Sequence, residues 1–216
     1  PILSIIYVYY NCPGEIVDSM KSIKSASVGL ITEIIIVDNN STLQLPEQVK
    51  QFKEIKIVVN KENRGYGAAL NQGAKLAKGK YLLLANPDTV YLKDSINQMV
   101  ERMESDPTIG ILGPQLLDSK RKVQIVGNGM PFLLQALFAF TFLNKIFPNN
   151  RFSKAYYLPE FDRNKEKEIP VICGACMMTK KSLFETIDGF DEQFVLYFEE
   201  SDLCCRVNKV GKTVLY

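Results

Sequence analysis

The 216-residue sequence contains no histidine, and its five cysteines are too few and too unevenly placed to form a disulfide framework. Cys173 and Cys176 have the spacing of a zinc clip, but neither a second pair of that spacing nor a histidine is there to complete a tetrahedral site. The composition therefore argues against structural zinc. It predicts reduced thiols, as expected in a cytosolic protein.

Neither sign of charge is in excess, since 26 Lys and Arg stand against 24 Asp and Glu. A nucleic-acid-binding domain would need a denser basic cluster, so nucleic acid is not expected as a partner. Residues 1–10 lack a charged leader and resemble a strand, and we therefore expect no signal peptide. We do expect the chain to continue past Tyr216, because the last residues look like an unfinished strand.

The first half of the chain alternates short apolar runs with amphipathic segments. Strands are predicted at 3–9, 33–37, 56–59 and within 80–89. Helices are predicted from Glu15 and over 66–77, the second with Gly79 at its C′ position. This order is typical of a parallel sheet covered by helices. We therefore predict a single α/β domain over 1–216, with a central, mostly parallel, twisted sheet flanked by helices.

The second half is less regular. The predicted elements are a helix capped by Asp94 or Ser95, a strand at 109–113, a strand-like run at 170–179, a helix at 180–187 and a last helix that buries Leu203, Val207 and Val210. Between these elements, 117–169 is predicted to be irregular, and such long sections are usually functional or mobile.

Carboxylates follow two of the apolar runs. Asp88 ends the run at 80–89, and Asp38 follows the run at 33–37. A carboxylate at the carboxyl end of a parallel strand points into the crevice where such sheets bind ligands. A turn aspartate made rigid by Pro87 would explain Asp88 alone. Two acid-terminated strands in one sheet, however, predict a site.

Two glycines follow the third predicted strand, at Gly65 and Gly67. They would let the backbone approach a ligand closely, and the helix that starts there directs its positive dipole end outward. This arrangement suits an anionic ligand, although a turn needed only for packing is the plain alternative.

Three carboxylates, Glu199, Glu200 and Asp202, precede the last helix. The helix dipole accounts for one or two acids at a helix N-terminus, whereas a third costs repulsion and suits a general base. Upstream, Gly174 and Ala175 are small enough to let a ligand press against the backbone.

The segment 130–147 is apolar, and 131–143 within it has no charged residue. It is too short to cross a bilayer, which takes about 20 apolar residues. The segment could belong to the core, or it could form an apolar lip that meets a membrane or a lipid-carried acceptor. Basic residues at 120–122 and 151–154 would suit anionic headgroups, but a solvated surface explains them equally.

Five stretches occur in an order that is specific as a set: VDNNS at 37–41, NRGYGAALNQG at 63–73, ANPDT at 85–89, CGACMM at 173–178 and GFDEQFVLYFEESDLCCR at 189–206. Together they resemble glycosyltransferase family 2, and most of all its bacterial rhamnosyltransferase-like branch, which builds O-antigen, capsule or cell-wall glycans. The resemblance spans nearly the whole chain. It implies the GT-A fold, with a donor-binding half at about 1–115 and an acceptor and catalytic half at about 116–216.

The resemblance also implies roles for individual residues. Asp38 would contact the nucleoside of the donor, and Arg64 would supply positive charge near the diphosphate. The full set of donor-binding residues that it implies is Tyr9, Tyr10, Asn11, Asp38, Asn40, Asn63, Arg64, Gly65 and Asn86. Gly174 and Ala175 would lie at the acceptor.

Residues 86–88, Asn-Pro-Asp, occupy the place of the family's Asp-x-Asp metal motif, with asparagine in the first position. Asp88 would therefore be the one carboxylate that holds Mg²⁺ or Mn²⁺, and donor phosphates and water would complete the shell. The family's metal-linked histidine has no counterpart within this sequence.

Glu200 matches the family's usual general base, with Glu199 and Asp191 as the next candidates. The usual pair is Glu-Asp, so the pair Glu-Glu leaves the choice between Glu199 and Glu200 open.

The implied activity is metal-dependent, inverting transfer of a hexose from dTDP-rhamnose or a UDP-sugar to a hydroxyl of a glycan or lipid-linked acceptor. The implied setting is cell-surface polysaccharide synthesis in the cytoplasm, at the inner face of the membrane if 130–147 contacts it.

Two other classes of protein stay open. A sugar nucleotidyltransferase should carry a glycine-rich loop with Arg and Lys after the first strand, where this chain has Tyr-Asn-Cys-Pro-Gly at 10–14. A non-catalytic binding module is disfavoured by the three carboxylates before the last helix.

Overall fold

The computed structural model describes residues 1–52 and 55–216. Within them, seven strands form one sheet: β1 (Leu3–Tyr9), β2 (Thr32–Asp38), β3 (Ile55–Val59), β4 (Tyr81–Ala85), β5 (Ile109–Leu112), β6 (Cys176–Lys180) and β7 (Thr213–Leu215). Their order across the sheet is β3-β2-β1-β4-β6-β5-β7. Neighbours are parallel except where β6 pairs with β4 and β5, to which it is antiparallel. The predicted mixed α/β sheet is confirmed.

Along the chain, the helices of the described residues alternate with these strands, or groups of helices connect them. They are α1 (Pro13–Ala26), α2 (Glu47–Lys50), α3 (Tyr66–Leu76), α4 (Ser95–Ser105), α5 (Leu133–Phe140), α6 (Leu143–Ile146), α7 (Arg151–Tyr157), α8 (Lys181–Thr186) and α9 (Glu199–Lys209). Among these residues, no helix combines the length and the apolar character that a bilayer span requires.

Both faces of the sheet are buried, because successive side chains of β1 belong to different apolar clusters. Ile5 and Tyr7 pack with α1 and α4. Ile6 and Val8 pack with α3, α8 and α9. The sheet is therefore the middle layer of three, which explains why β1, β2 and β4 are continuous apolar runs rather than alternating ones.

Several predicted details are wrong. Helix α3 ends at Leu76, so Gly79 is not its C′ residue; instead it lies against β1, where a Cβ atom would come within 2.6 Å of the Ser4 nitrogen. Val210 is 48% exposed and follows α9 instead of adding to its buried face. The 170–179 run is predicted to be strand-like with an interruption at Gly174 and Ala175. The backbone does turn there, and the strand β6 occupies only the second part of the run.

The section 117–169 is more ordered than predicted. It contains α5, α6 and α7, which form a helical hairpin. The core interpretation of the apolar segment 130–147 is wrong, since Ala139 is its one buried residue while Leu133 is 83% and Phe142 68% exposed. The alternative interpretation, an apolar lip, matches the exposure.

A buried carboxylate connects two strands with the end of α3. Glu33 in β2 is 5% exposed and accepts hydrogen bonds from the Ser4 hydroxyl (2.6 Å), the Lys56 ammonium (2.8 Å) and the Lys78 backbone N–H (2.5 Å). Burial by itself raises the pKa of this carboxyl, but the hydrogen bonds and the charge of Lys56 outweigh burial and lower it to about 2. Glu33 is therefore ionised at neutral pH and stabilises the fold in that form.

The effect of Glu33 should depend on pH. Its pKa in the folded protein lies below the ordinary value of 4.5, so its contribution is fully present above about pH 4.5 and is lost as the pH falls toward about 2. We expect Glu33→Gln to lower the free energy of unfolding by roughly 3 kcal/mol at pH 7. Urea unfolding of both proteins at pH 7, 5, 4 and 3 measures whether the difference shrinks on acidification.

The matched control is Glu47→Gln, which removes a carboxylate from an exposed ion pair with Lys50. Such pairs contribute little, so this variant should unfold like the wild type at every pH. A difference between Glu33→Gln and the wild type that stays constant from pH 7 to pH 3 would contradict the assignment of charge to Glu33.

Candidate active site

A cavity of about 470 Å³ lies where β1, β2 and β4 end. Because these strands are parallel, the segments that follow them meet at one edge of the sheet. Four of the predicted donor-binding residues and the predicted metal ligand line this cavity: Tyr10, Asn63, Gly65, Asn86 and Asp88. Val195 and Leu196 from the segment before α9 also line it.

Asn39 connects the end of β2 with the loop before α3, and it is 2% exposed. Its amide nitrogen donates to Asn63 Oδ1 (2.7 Å) and the Gly65 carbonyl (3.2 Å). Its amide oxygen accepts from Asn60 Nδ2 (3.1 Å) and the Arg64 N–H (3.1 Å). Asn39 thus holds the loop before α3 against the end of β2.

Sequence reasoning did not select Asn39, although it selected the residues on either side of it. The signal that could have found it is its position directly after a buried strand and beside Asp38. Asn40 instead lies exposed, with a φ of 66°.

Asp38 and Tyr9 do not line the cavity. Asp38 is buried, and its carboxylate accepts the N–H of Ser41 (2.8 Å), which closes the turn after β2. The Tyr9 hydroxyl donates to the carbonyls of Leu43 (2.9 Å) and Gln44 (3.2 Å). These contacts shape the loop that follows β2.

Asn11 belongs to the same support. Its side-chain oxygen accepts hydrogen bonds from the N–H groups of Thr42 (2.8 Å) and Leu43 (2.9 Å). The backbone of Asn11 has a φ of 55°, a conformation that asparagine tolerates better than most residues.

The predicted cation, Arg64, is not among the cavity-lining residues. Its guanidinium pairs with the Glu192 carboxylate at 3.2 Å, and both side chains are more than 40% exposed. Exposed pairs of this kind are weak, so the pair does not hold Arg64 firmly in place.

The turn that carries Asp88 rests on residues 173–175. The Asn86 N–H and the Thr89 hydroxyl both donate to the Ala175 carbonyl, at 2.8 and 3.2 Å. The buried hydroxyl of Tyr66 donates to the Gly174 carbonyl at 3.2 Å. The predicted acceptor residues therefore lie directly beside the predicted metal ligand.

Glu200 reaches the same turn from α9. A Cβ atom built at Gly174 would lie 3.7 Å from the Glu200 Cβ. Burial raises the pKa of the nearby Cys173 thiol, and the negative charges of Glu200 and Asp88 raise it further. The turn that carries Asp88 is hydrogen-bonded to Ala175, and Glu200 lies against the adjacent Gly174, so residues 88 and 200 lie on the same side of the molecule.

The two glutamates that begin α9 differ in their surroundings. Burial raises the pKa of Glu200, and the neighbouring charge of Glu199 raises it further. Glu199 is 6% exposed, and its Oε2 atom has no hydrogen-bond partner among the described residues. The preceding Tyr197 and Phe198 have φ values of 67° and 68°, which are strained for aromatic residues.

Asp191, the third predicted base, has a different position. Its carboxylate accepts the N–H of Gln193 at 2.9 Å and closes the turn after Phe190. It is not among the residues that line the cavity.

The residues at the cavity provide few ligands for a metal ion. Residues 1–52 and 55–216 contain no group of three or more His, Cys, Asp or Glu side chains that could hold one. Asp88 nevertheless supplies an exposed carboxylate oxygen at the cavity. A hard divalent cation often takes one or two carboxylates and completes its shell with phosphate and water oxygens, so the donor set suits Mg²⁺ or Mn²⁺ that arrives with a phosphorylated ligand.

The family model described as Glycosyl transferase family 2 matches residues 4–188. The chain belongs to this family. The match includes the Asp38, Asn63 and Asp88 segments and ends just before the Asp191 turn, so Glu199 and Glu200 lie outside it.

Two relatives illustrate the range of the family. The chain is 26% identical to the N-acetylglucosaminyl-diphospho-decaprenol L-rhamnosyltransferase of Mycobacterium tuberculosis (strain ATCC 25618 / H37Rv), over all of this chain and 73% of that protein. It is 28% identical to the low-salt glycan biosynthesis hexosyltransferase Agl10 of Haloferax volcanii, over 96% of this chain and 62% of that protein.

Solved structures share the fold at lower identity. The mannosyltransferase PcManGT of Pyrobaculum calidifontis, in complex with GDP-Man and Mn²⁺, has a TM-score of 0.68 at 18% identity and covers 99% of this chain. S. aureus TarS 1–349 in complex with UDP has a TM-score of 0.64 at 16% identity and covers 96%. This chain spans about half the length of each, 54% and 55%. These likenesses confirm the expected GT-A fold.

Removing the side chain of Asn39 should open the cavity. Asn39→Ala deletes four hydrogen bonds at a buried position, so we expect a loss of about 2–4 kcal/mol in unfolding free energy. We also expect weaker binding of uridine or thymidine diphosphate, because the loop before α3 loses its link to β2. Chemical unfolding and calorimetric titration measure the two effects.

Asn40→Gly is the matched control, since glycine accepts the positive φ of the adjacent exposed position. It should leave both the stability and the nucleotide affinity close to those of the wild type. Equal losses in the two variants would show that Asn39 has no special role in the cavity.

Proposed function

We propose that this family member is an inverting glycosyltransferase that moves a sugar from a nucleoside-diphosphate sugar to a hydroxyl group of a glycan or lipid-linked acceptor. The observation that carries the proposal is the meeting of two carboxylates from distant segments at one turn. Asp88 lines the cavity, and the turn that carries it is hydrogen-bonded to residues 173–175. Glu200, whose pKa is raised by burial, packs against Gly174. One carboxylate is thus available for the donor and the other for the acceptor.

The donor nucleotide would lie in the cavity between the end of β1 and the start of α3. The side chains of Asn63 and Asn86 offer hydrogen bonds there, and Tyr10 offers an aromatic face. Helix α3 begins directly after Gly65. The N–H groups of its first turn and its positive dipole end would favour binding of the diphosphate at this position. Tyr9, Asn11 and Asp38 would act indirectly, by holding the loop after β2.

Asp88, together with the donor phosphates, would hold Mg²⁺ or Mn²⁺. When bound, the ion would neutralise negative charge on the diphosphate leaving group. Two structural neighbours support such an ion, because the solved structures of PcManGT and GalNAc-T7 both contain Mn²⁺.

Glu200 would accept the proton of the acceptor hydroxyl as that oxygen attacks the anomeric carbon. A general base contributes of order 10²–10⁴-fold to the rate. The raised pKa makes Glu200 a stronger base than an exposed glutamate. A single displacement inverts the anomeric carbon and forms no covalent enzyme intermediate. Glu199, whose buried Oε2 atom has no hydrogen-bond partner among the described residues, is the second candidate for the base.

The relatives suggest the class of substrate. The mycobacterial relative is named as a rhamnosyltransferase that acts on a diphospho-decaprenol glycan, and a relative in Escherichia coli is named as a glucosyltransferase that acts on a diphosphoundecaprenol glycan. Both acceptors are lipid-linked precursors. This supports dTDP-rhamnose or a UDP-sugar as donor and cell-surface polysaccharide synthesis as the setting.

Asp88→Ala tests the donor site. We expect the variant to lose the Mn²⁺-dependent part of the thermal stabilisation that uridine or thymidine diphosphate gives the wild type, because the only carboxylate assigned to the ion is gone. Thermal shift with nucleotide alone, Mn²⁺ alone and both together measures it. Glu15→Gln removes another carboxylate from the same cavity and should retain the Mn²⁺-dependent part. An unchanged shift in Asp88→Ala would refute the metal role.

Glu200→Gln tests the base. The variant should bind donor nucleotide normally and lose about 10²–10⁴-fold in kcat, while Glu199→Gln should lose less. In the wild type, transfer requires ionised Glu200. Because the pKa of Glu200 is raised, activity should fall on acidification at a pH above the ordinary glutamate value of 4.5. Transfer rates from pH 4 to 8 measure this limb. Near wild-type turnover in Glu200→Gln would move the base elsewhere.

A further inference from the structure

The hairpin of α5, α6 and α7 presents an apolar surface that the proposed sugar transfer does not by itself explain. Large apolar side chains of α5, α6 and the residues beside them are exposed, and we call the surface they form the outer side of the hairpin. They are Phe132, Leu133, Leu134, Leu137, Phe140, Phe142, Ile146 and Phe147. Leu133, Leu137 and Phe140 are spaced by four and three residues, which places them on one face of α5. A contiguous apolar patch of this kind marks an interaction surface.

The hairpin is a folded unit rather than a loose loop. Phe138 turns inward and stacks on Phe152 with ring centroids 5.1 Å apart. The Tyr157 hydroxyl donates to the Ala139 carbonyl at 2.8 Å, which fastens the end of α7 to α5. The hairpin therefore holds its exposed apolar side chains in a fixed arrangement. Leu133 and Phe142 are 83% and 68% exposed, so they contribute little to its packing.

A buried arginine anchors the base of the hairpin. Arg163 is 8% exposed, and its guanidinium donates to backbone carbonyl groups on both sides of the hairpin. The acceptors are the carbonyls of Val126, Gly127, Tyr157, Leu158 and Phe161. This network ties together the chain segments that enter and leave the hairpin. Next to it, the backbones of Asn128 and Val171 exchange two hydrogen bonds of 2.9 and 3.0 Å, which join the start of the hairpin to the segment before β6.

The chain segment that contains the hairpin carries charge of one sign. Between residues 119 and 159 the chain has no Asp or Glu, and its charged residues are Lys120, Arg121, Lys122, Lys145, Arg151 and Lys154. Three of these cations belong to the hairpin itself. An apolar face whose own chain segment carries only cations is complementary to a bilayer whose surface carries anionic headgroups.

We propose that the outer side of the α5–α7 hairpin is the surface by which the protein docks on an anionic lipid bilayer. Leu133, Leu137 and Phe142 enter the headgroup region, and Lys145 and Lys154 contact phosphate groups. The docking is peripheral, and apolar burial and charge attraction contribute together.

This surface is continuous with the candidate active site. Phe140 packs edge-on against Tyr156, with centroids 5.0 Å apart, and against Phe198 at 5.9 Å. Phe198 directly precedes Glu199 and Glu200, the first two residues of α9. If the proposed sugar transfer is correct, a lipid-linked acceptor can keep its chain in the bilayer while its head group reaches Glu200.

Vesicle sedimentation tests the docking surface without nucleotide or turnover. The wild type should bind vesicles of phosphatidylcholine mixed equally with phosphatidylglycerol, bind phosphatidylcholine alone more weakly, and lose affinity in high salt. The double variant Leu133→Ser/Phe142→Ser should bind the mixed vesicles at least about tenfold more weakly, because each side chain would bury a large apolar area. Both side chains are exposed, so the variant should keep its circular dichroism spectrum.

The matched control is Val28→Ser/Ile31→Ser, which removes two exposed apolar side chains outside the hairpin and should bind like the wild type. Lys145→Gln/Lys154→Gln should lose the preference for phosphatidylglycerol. Wild-type vesicle binding by Leu133→Ser/Phe142→Ser overturns the proposal. So does a wild type that ignores vesicles but forms a dimer that this variant cannot form, since a second copy would then cover the face. Neither outcome tests sugar transfer. Conversely, a protein that binds vesicles but transfers no sugar would contradict the proposed function and support the docking proposal.

Discussion

The antiparallel strand β6 is the constraint on which the site depends. Its first residue, Cys176, pairs with Ala85, the last residue of β4. A parallel strand at this place would have begun at the opposite edge of the sheet. Because β6 runs the other way, residues 173–175 arrive where β4 ends, and the Ala175 carbonyl accepts hydrogen bonds from the turn that carries Asp88. The same turn receives α9, and with it Glu199 and Glu200.

The electrostatics of the cavity follow from this convergence. Asp88 and Glu15 line it, Glu200 lies close by, and the predicted cation Arg64 pairs with Glu192 on the surface instead. Fixed negative charge repels a diphosphate, so the positive end of α3 and a divalent ion that arrives with the nucleotide would both be needed to offset it. In the proposed donor site one carboxylate would then suffice as a protein ligand of the ion, which is consistent with the asparagine at position 86.

The apolar hairpin and the chemical centre are neighbours for a structural reason. Gly129 can approach α7 because it lacks a side chain, since a Cβ atom there would lie 2.0 Å from the Ala155 carbonyl oxygen. This close approach, together with the Arg163 network, orients α5 so that Phe140 meets Phe198. The strained backbone of Tyr197 and Phe198 lies between the hairpin, the cavity-lining residues Val195 and Leu196, and the first turn of α9.

Much of the fold and the outline of the site were determined by local pattern. Continuous apolar runs predicted β1, β2 and β4, because strands buried on both faces need them, and the strand-end position of Asp88 located the edge where a ligand cavity forms. The motif order predicted the family. Local sequence could not separate Asn39 from Asp38 and Asn40, since their difference lies in hydrogen bonds to residues more than 20 positions away. It could not decide whether 130–147 was core or surface either, because an apolar segment looks the same in both. Only tertiary packing, which covers one side of α5 with α7 and leaves the other side bare, made that choice.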